Sequence, residues 1–152
     1  MKQTIIGIDP GQSGGIAWTH EDGMRVEKMP DTIQGVWELV SHIVDNTAQI
    51  YRHTEFKAYL EQVHSMPGQG VSSSFKFGNG FGHLEMALTA AGIPFERVTP
   101  QRWQKAMVCM TKGDKNVSKR RAQELFPSLK ITHAIADALL IAEYGKREWL
   151  KI

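Results

Sequence analysis

An α/β protein with a five-stranded mixed sheet is predicted by three features of the sequence. The chain opens on β-branched runs broken by Gly, Pro and Asp-Gly, the pattern of an antiparallel meander. Amphipathic stretches of helical period then alternate with two further short strands, the pattern of parallel strands joined by helices. A long run of strong helix formers, Ala134 to Tyr144, closes it.

The elements follow in order. TIIGID is the first strand, with Thr4, Ile5, Ile6 and Ile8 suited to a buried position and Asp9 at its end. Pro10, Gly11, Gly14 and Gly15 supply a sharp turn into Gly15 to His20, and Glu21-Asp22-Gly23 turns that strand into Met24 to Met29. Asp31 or Thr32 caps a helix whose apolar positions are Ile33, Val36, Trp37, Val40, Ile43 and Val44. Trp37 is expected in the core and His42 on the surface. Phe56 to Val63 is the fourth strand, carrying Glu61.

A loop rich in Gly, Ser and Pro follows, with five glycines from Gly68 to Gly82, and leads into a helix containing Leu84, Met86, Leu88 and Ala91. Ile93 to Val98 is the fifth strand. Thr99-Pro100 reads as an N-cap with proline at the first helical position, opening a short helix through Arg102, Trp103 and Lys105. Lys112 to Asn116 forms an exposed loop. Asn116 or Ser118 caps a helix bearing Lys119, Arg120 and Arg121 that stops near Pro127, and the last helix runs from a Thr132 cap to Gly145.

The chain has 152 residues, enough for one compact domain, predicted over 1–152, that needs no disulfide or metal to fold. Its one cysteine, Cys109, excludes an internal disulfide and favours a reducing, cytoplasmic setting. No apolar run approaches a membrane span and no export signal opens the chain, so no membrane partner is expected. The net charge of +2 conceals an uneven distribution: Met1 to His64 holds five basic and nine acidic residues, whereas Arg97 to Arg121 holds eight basic residues against Asp114 alone. That basic segment suits a phosphate backbone, although such runs are also solvated helix faces.

Three carboxylates stand out. Asp9 and Glu61 end strands that lie side by side if the first and fourth are parallel neighbours, and Asp137 sits in an otherwise apolar helix that needs a counter-ion for it. Three converging acids repel one another, and hard divalent cations hold such a group together, so Mg²⁺ or Mn²⁺ is expected. Beside a basic surface, two such ions fit phosphodiester hydrolysis. His133, one turn before Asp137, is a candidate to ligate, to orient water or to donate a proton, or simply opens the helix. Phe75, Phe77 and Phe81, interleaved with Lys76, suit stacking on bases, or else anchor the helix.

GIDPGQSGGIA, LEQVHSMPGQGVSSSFKFG, VTPQRWQKAM, SKRRAQELFP and HAIADALLIAEYG, in that order, resemble the RuvC-type Holliday junction resolvases of bacteriophages and bacteria. The resemblance runs from Ile5 to Tyr144. It implies an RNase H-like fold, a homodimer, and paired metal-dependent nicks in four-way DNA junctions within the bacterial or phage-infected cytoplasm. The acidic site implied is Asp9, Glu61 and Asp137, with His133 near the position where the family has another Asp or a His. Here His133 and Asp137 are four residues apart, whereas many relatives space their last two acids by three. Met66, Phe75 and Phe77 would approach the junction centre, and Lys112, Lys115 and Lys119 the backbone near the cleaved phosphate. Gln69, Ser73, Lys76, Arg102 and Arg120 complete the candidate DNA-facing set.

Three other readings compete with this one. A structure-specific nuclease for flaps, forks or RNA–DNA hybrids would share the fold and site. An inactive DNA-binding module would be expected to lack some of the carboxylates. An actin-like phosphotransferase needs a second lobe for which the chain is too short.

Overall fold

The computed structural model describes residues 2–64 and 66–151. Strands β1 (Lys2–Asp9), β2 (Gly15–His20), β3 (Gly23–Lys28), β4 (Thr54–Glu61) and β5 (Phe95–Val98) form one sheet in the order β3-β2-β1-β4-β5. The β1–β2 and β2–β3 pairs are antiparallel, and β1–β4 and β4–β5 are parallel. The predicted mixed sheet is therefore the one observed. Helices cover both faces, because side chains alternate along each strand. Ile6, Ile8, Ala58 and Leu60 pack with α1 (Ile33–Ile50) and α2 (Val71–Ala90) on one face. Ile5, Tyr59 and Val98 pack on the other with α3 (Pro100–Ala106), α4 (Lys115–Leu125) and α5 (His133–Leu150).

Thr32 caps α1, its Oγ1 accepting from the Gly35 N–H at 3.0 Å, and Thr99 caps α3 ahead of Pro100. In α1, Val36, Val40 and Ile43 are buried as the apolar spacing requires. Trp37 is not in the core: it is 44 % exposed, one position off the buried stripe.

Strands β4 and β5 are shifted from the expected Phe56–Val63 and Ile93–Val98 to Thr54–Glu61 and Phe95–Val98, and three helix boundaries also differ from the sequence reading. Helix α2 starts at Val71 and takes in Gly78, Gly80 and Gly82, which the sequence reading placed in a loop. Phe77, Phe81, Leu84 and Leu88 recur at helical spacing on its inner side, and that packing outweighs the low helix propensity of glycine. The cap of α4 is Asp114, whose Oδ1 accepts from the Asn116 N–H at 2.9 Å, instead of Asn116 or Ser118. Ser118 is buried and turned inward.

Helix α5 runs through Gly145 to Leu150, because that glycine is a packing residue and not a stop. A Cβ there would lie 2.3 Å from the Tyr59 ring. Gly7 plays the same part under the middle of α5, where a Cβ would lie 2.2 Å from the Ala142 nitrogen and 2.6 Å from the Ala138 oxygen. Backbone on both sides cannot yield as a flexible side chain would. Gly7→Ala is therefore expected to cost about 3 kcal/mol, roughly 10 °C in Tm, measurable by thermal unfolding. A loss under 2 °C would contradict this close docking of α5.

Candidate metal and nucleic-acid site

The register of β1 on β4 pairs Ile8 with Leu60, so Asp9 and Glu61 come next, side by side at the same sheet edge. Alternation turns both toward α5, since Ile5 and Tyr59 belong to the core on that face. Helix α5 lies against Gly15 with Ala134 and against Gly7 with Ala138 and Ala142, so its N-terminal turns stand over that edge. Asp137 comes from the second of those turns. Two strand ends and one helix thus deliver the three predicted carboxylates to one place.

The electrostatics of the three carboxyls fits this placement. Burial raises the Asp9 carboxyl well above its usual range, and the charges of Glu61 and Asp137 raise it further. Burial likewise pushes Glu61 up to about 7, with Asp137 adding to it and the Trp103 indole opposing it. Asp137 is raised by burial, against partial relief from Ser118, Lys115 and His133. A buried carboxyl raised further by acidic neighbours, as Asp9 and Glu61 are, is characteristic of acids that share a site without enough cations.

Each acid is held differently. Glu61 is 9 % exposed, and its Oε2 accepts a 2.7 Å hydrogen bond from Nε1 of Trp103, a wholly buried residue of α3. This contact spans 42 residues and fixes the orientation of the carboxylate, leaving Oε1 for other work. Oδ1 of Asp137 is buried with no hydrogen-bond partner among the described residues. A buried carboxylate oxygen left unpaired is costly unless something outside the chain binds it.

Lys115, the first residue of α4, lies within reach of all three acids and lowers the carboxyl of each. The resemblance places Lys115 on the DNA side, and its charge also acts on all three acids. The sequence reading named Trp103 and Ser118 only as helix residues and gave neither a part in the site. The one local signal for Trp103 was an aromatic residue four positions after a capping threonine.

His133 opens α5 exposed, close enough to Asp137 to favour its charged form. Phe77 is half-buried against the turn after Asp9, where a Cβ on Gly11 would be 3.2 Å from its ring. This brings the start of α2 beside the acids. Met66, Ser73, Phe75 and Lys76 are exposed there, Phe75 by 75 %. Gln69 braces the segment by accepting from the Met66 N–H at 3.1 Å and donating to the Ser73 hydroxyl at 3.3 Å.

Lys119 and Arg120 line a shallow depression on α4 with Asn116 and Gln123, and Lys112 is exposed in the turn before it. Arg102 is not part of this group. Its guanidinium bonds Glu96 and Glu148, the latter about 16 Å along α5 from Asp137 at 1.5 Å per residue.

The donor set is oxygen-rich and suits a hard divalent cation. Among the described residues no group of three His, Cys, Asp or Glu side chains is placed so that it could hold a metal ion as it stands. Mg²⁺ keeps several waters and takes few protein ligands directly, so one or two of these carboxylates would be enough to hold it. The unpaired Asp137 Oδ1 and the raised carboxyls fit such a guest.

No protein-family model and no curated protein matches the sequence. Solved structures do match. A Thermus thermophilus RuvC structure aligns with TM-score 0.63 at 18 % identity, covering 97 % of this chain and 96 % of that one. T. thermophilus RuvC in complex with a Holliday junction substrate aligns with TM-score 0.61 at 18 % identity, covering 96 % of each chain. The sheet order and flanking helices described above are thus those of the RuvC RNase H-like fold.

Proposed function

We propose that the chain is a metal-dependent endodeoxyribonuclease that resolves four-way DNA junctions by paired, symmetric nicks. The observation that carries the reading is the meeting of Asp9, Glu61 and Asp137 at one sheet edge, with an unpaired buried oxygen on Asp137. Similarity of fold to a RuvC that binds a Holliday junction supports the choice of substrate.

Asp9, Glu61 and Asp137 would hold Mg²⁺ or Mn²⁺, two ions in the full site. When bound, these ions supply activation of the attacking water and stabilisation of the leaving oxygen. The remaining tasks belong to the chain. Trp103 keeps the Glu61 carboxylate aimed, so the site does not have to reorganise on binding. Lys115 tempers a cluster of negative charge that would otherwise repel a phosphate. His133, exposed beside Asp137, is placed to orient water or give a proton to the departing oxygen.

Lys112, Lys119 and Arg120 would follow the backbone, while Met66 and Phe75 meet unstacked bases. Paired nicks need two sites, so the active form is a homodimer. Exposed Ile33 and Trp37 of α1 and Met86 of α2 offer apolar surface that supports such an assembly.

The test is a panel of mobile and immobile four-way junctions, forks, flaps and RNA–DNA hybrids in Mg²⁺. Paired nicks on four-way junctions, with the other substrates cut at least ~10-fold more slowly, are expected. Equal cutting of flaps or hybrids, without pairing, would instead point to a general structure-specific nuclease.

A further inference from the structure

Helix α3 ends in a closed turn. The Val108 N–H donates to the Lys105 oxygen at 3.2 Å and the Cys109 N–H to the Gln104 oxygen at 2.9 Å, the pair of reverse bonds that ends a helix on a left-handed residue. Glycine usually fills that position. Here it is Val108, with φ 57°, a conformation that a β-branched side chain strongly resists.

The turn's bonds repay the backbone, but the Val108 side chain makes no packing that repays this strain. Val108 is 78 % exposed and Met110 44 %, whereas Met107 and Cys109 between and beside them are buried at 0 and 1 %. The Met107 carbonyl is further held by Arg121 Nε at 2.9 Å, so the turn is rigid. Two apolar side chains are thus held out into solvent on a fixed backbone. A strained residue whose side chain serves no internal packing is a candidate for an external partner.

The surroundings say which partner. Lys105 and Lys112 flank the turn in sequence and are exposed, and no acidic residue occurs from Arg97 to Lys112. The turn is also tied to the acidic site. Trp103, whose indole holds Glu61, accepts the Met107 N–H at 2.9 Å, and the Asp137 charge reaches the Cys109 thiol, which burial pushes up to about 11.

We infer that Val108, with Met110 beside it, is an apolar contact to the DNA strand entering the acidic site, seated against the sugar or base face of a nucleotide next to the cleaved bond. This inference rests on the nuclease reading above. Apolar wedges framed by basic residues are a recurring way of gripping distorted DNA. The contact adds affinity and position without reading sequence through hydrogen bonds.

The test is Val108→Gly in the full chain, with Met110→Ala as a second variant. Glycine relieves the strain, so Tm is expected to rise by roughly 2–4 °C. Binding to an immobile four-way junction without divalent cation is expected to weaken roughly tenfold. The dependence of log affinity on log salt stays unchanged because no charge is lost, whereas Lys112→Ala flattens it. Met110→Ala weakens binding in the same salt-independent way.

A Val108→Gly protein that is more stable yet binds and cuts like the unmodified chain overturns the inference, and so does one that is less stable. The parent reading fails separately, and visibly, if the unmodified chain neither binds nor cuts branched DNA.

Discussion

Asp137→Asn is expected to reduce cleavage of a four-way junction in Mg²⁺ by at least ~10³-fold, with junction binding within about twofold of the unmodified protein. The substitution is isosteric and α5 is anchored elsewhere, by Ala138 and Ala142 on Gly7, so the fold has no reason to change. What is lost is one negative oxygen donor out of three. The amide also removes a charge that raises both Asp9 and Glu61, so the metal-free protein should be no less stable than before. Nicking assays, gel-shift binding and thermal unfolding of the same preparation give the three readouts together. Unchanged nicking would remove Asp137 from the site.

The second large effect is a dependence of stability on pH that divalent cations abolish. Burial raises all three carboxyls above their unfolded values, and acidic neighbours raise Asp9 and Glu61 further, Glu61 from 4.5 to about 7. Between those values the folded state therefore binds more protons than the unfolded chain, and stability falls as pH rises. Their favourable contribution is complete below about pH 4 and is lost as pH passes about 7.

Metal binding selects the deprotonated carboxylates, so its stabilisation is largest where the metal-free protein is weakest. Millimolar Mg²⁺ is expected to raise Tm by about 5–10 °C at pH 8 and by little at pH 5, if its concentration exceeds Kd about 100-fold. Exposed groups such as Asp22, whose carboxyl is lowered by its hydrogen bond to His20, tilt the background the other way. The comparison with and without Mg²⁺ at each pH removes that background. A shift of equal size at both pH values would contradict a site built from these acids.

Much of this fold was legible because its signals are local. The meander follows from β-branched runs ending at Asp-Gly and Pro-Gly, and Thr32 and Thr99 declare two helix starts by their position alone. The three acids were legible for a related reason. Asp9 and Glu61 stand at strand ends, and Asp137 is a charge in an apolar run, so each conflicts with its own surroundings in a way that asks for a partner.

The differences arise where a distant surface overrides a local preference. Gly145 looks like a helix stop, but Tyr59 needs the space it leaves. Gly78, Gly80 and Gly82 look like loop, but Phe77, Phe81, Leu84 and Leu88 bind that stretch to the body of the protein. Trp37 sits one position away from the stripe that α1 buries against the sheet and α2.

The sequence by itself thus determined a mixed α/β sheet, the identity of three acids and a basic segment, since strand period, turn chemistry and charge are properties of neighbouring residues. The tertiary structure alone decided that Trp103 grips Glu61, that Lys115 faces the acids, that Asp137 keeps an unpaired oxygen and that Val108 is held in a strained turn. Each of these depends on bringing together segments far apart in the chain, or on the close packing that such meetings impose, and no residue carries that information alone.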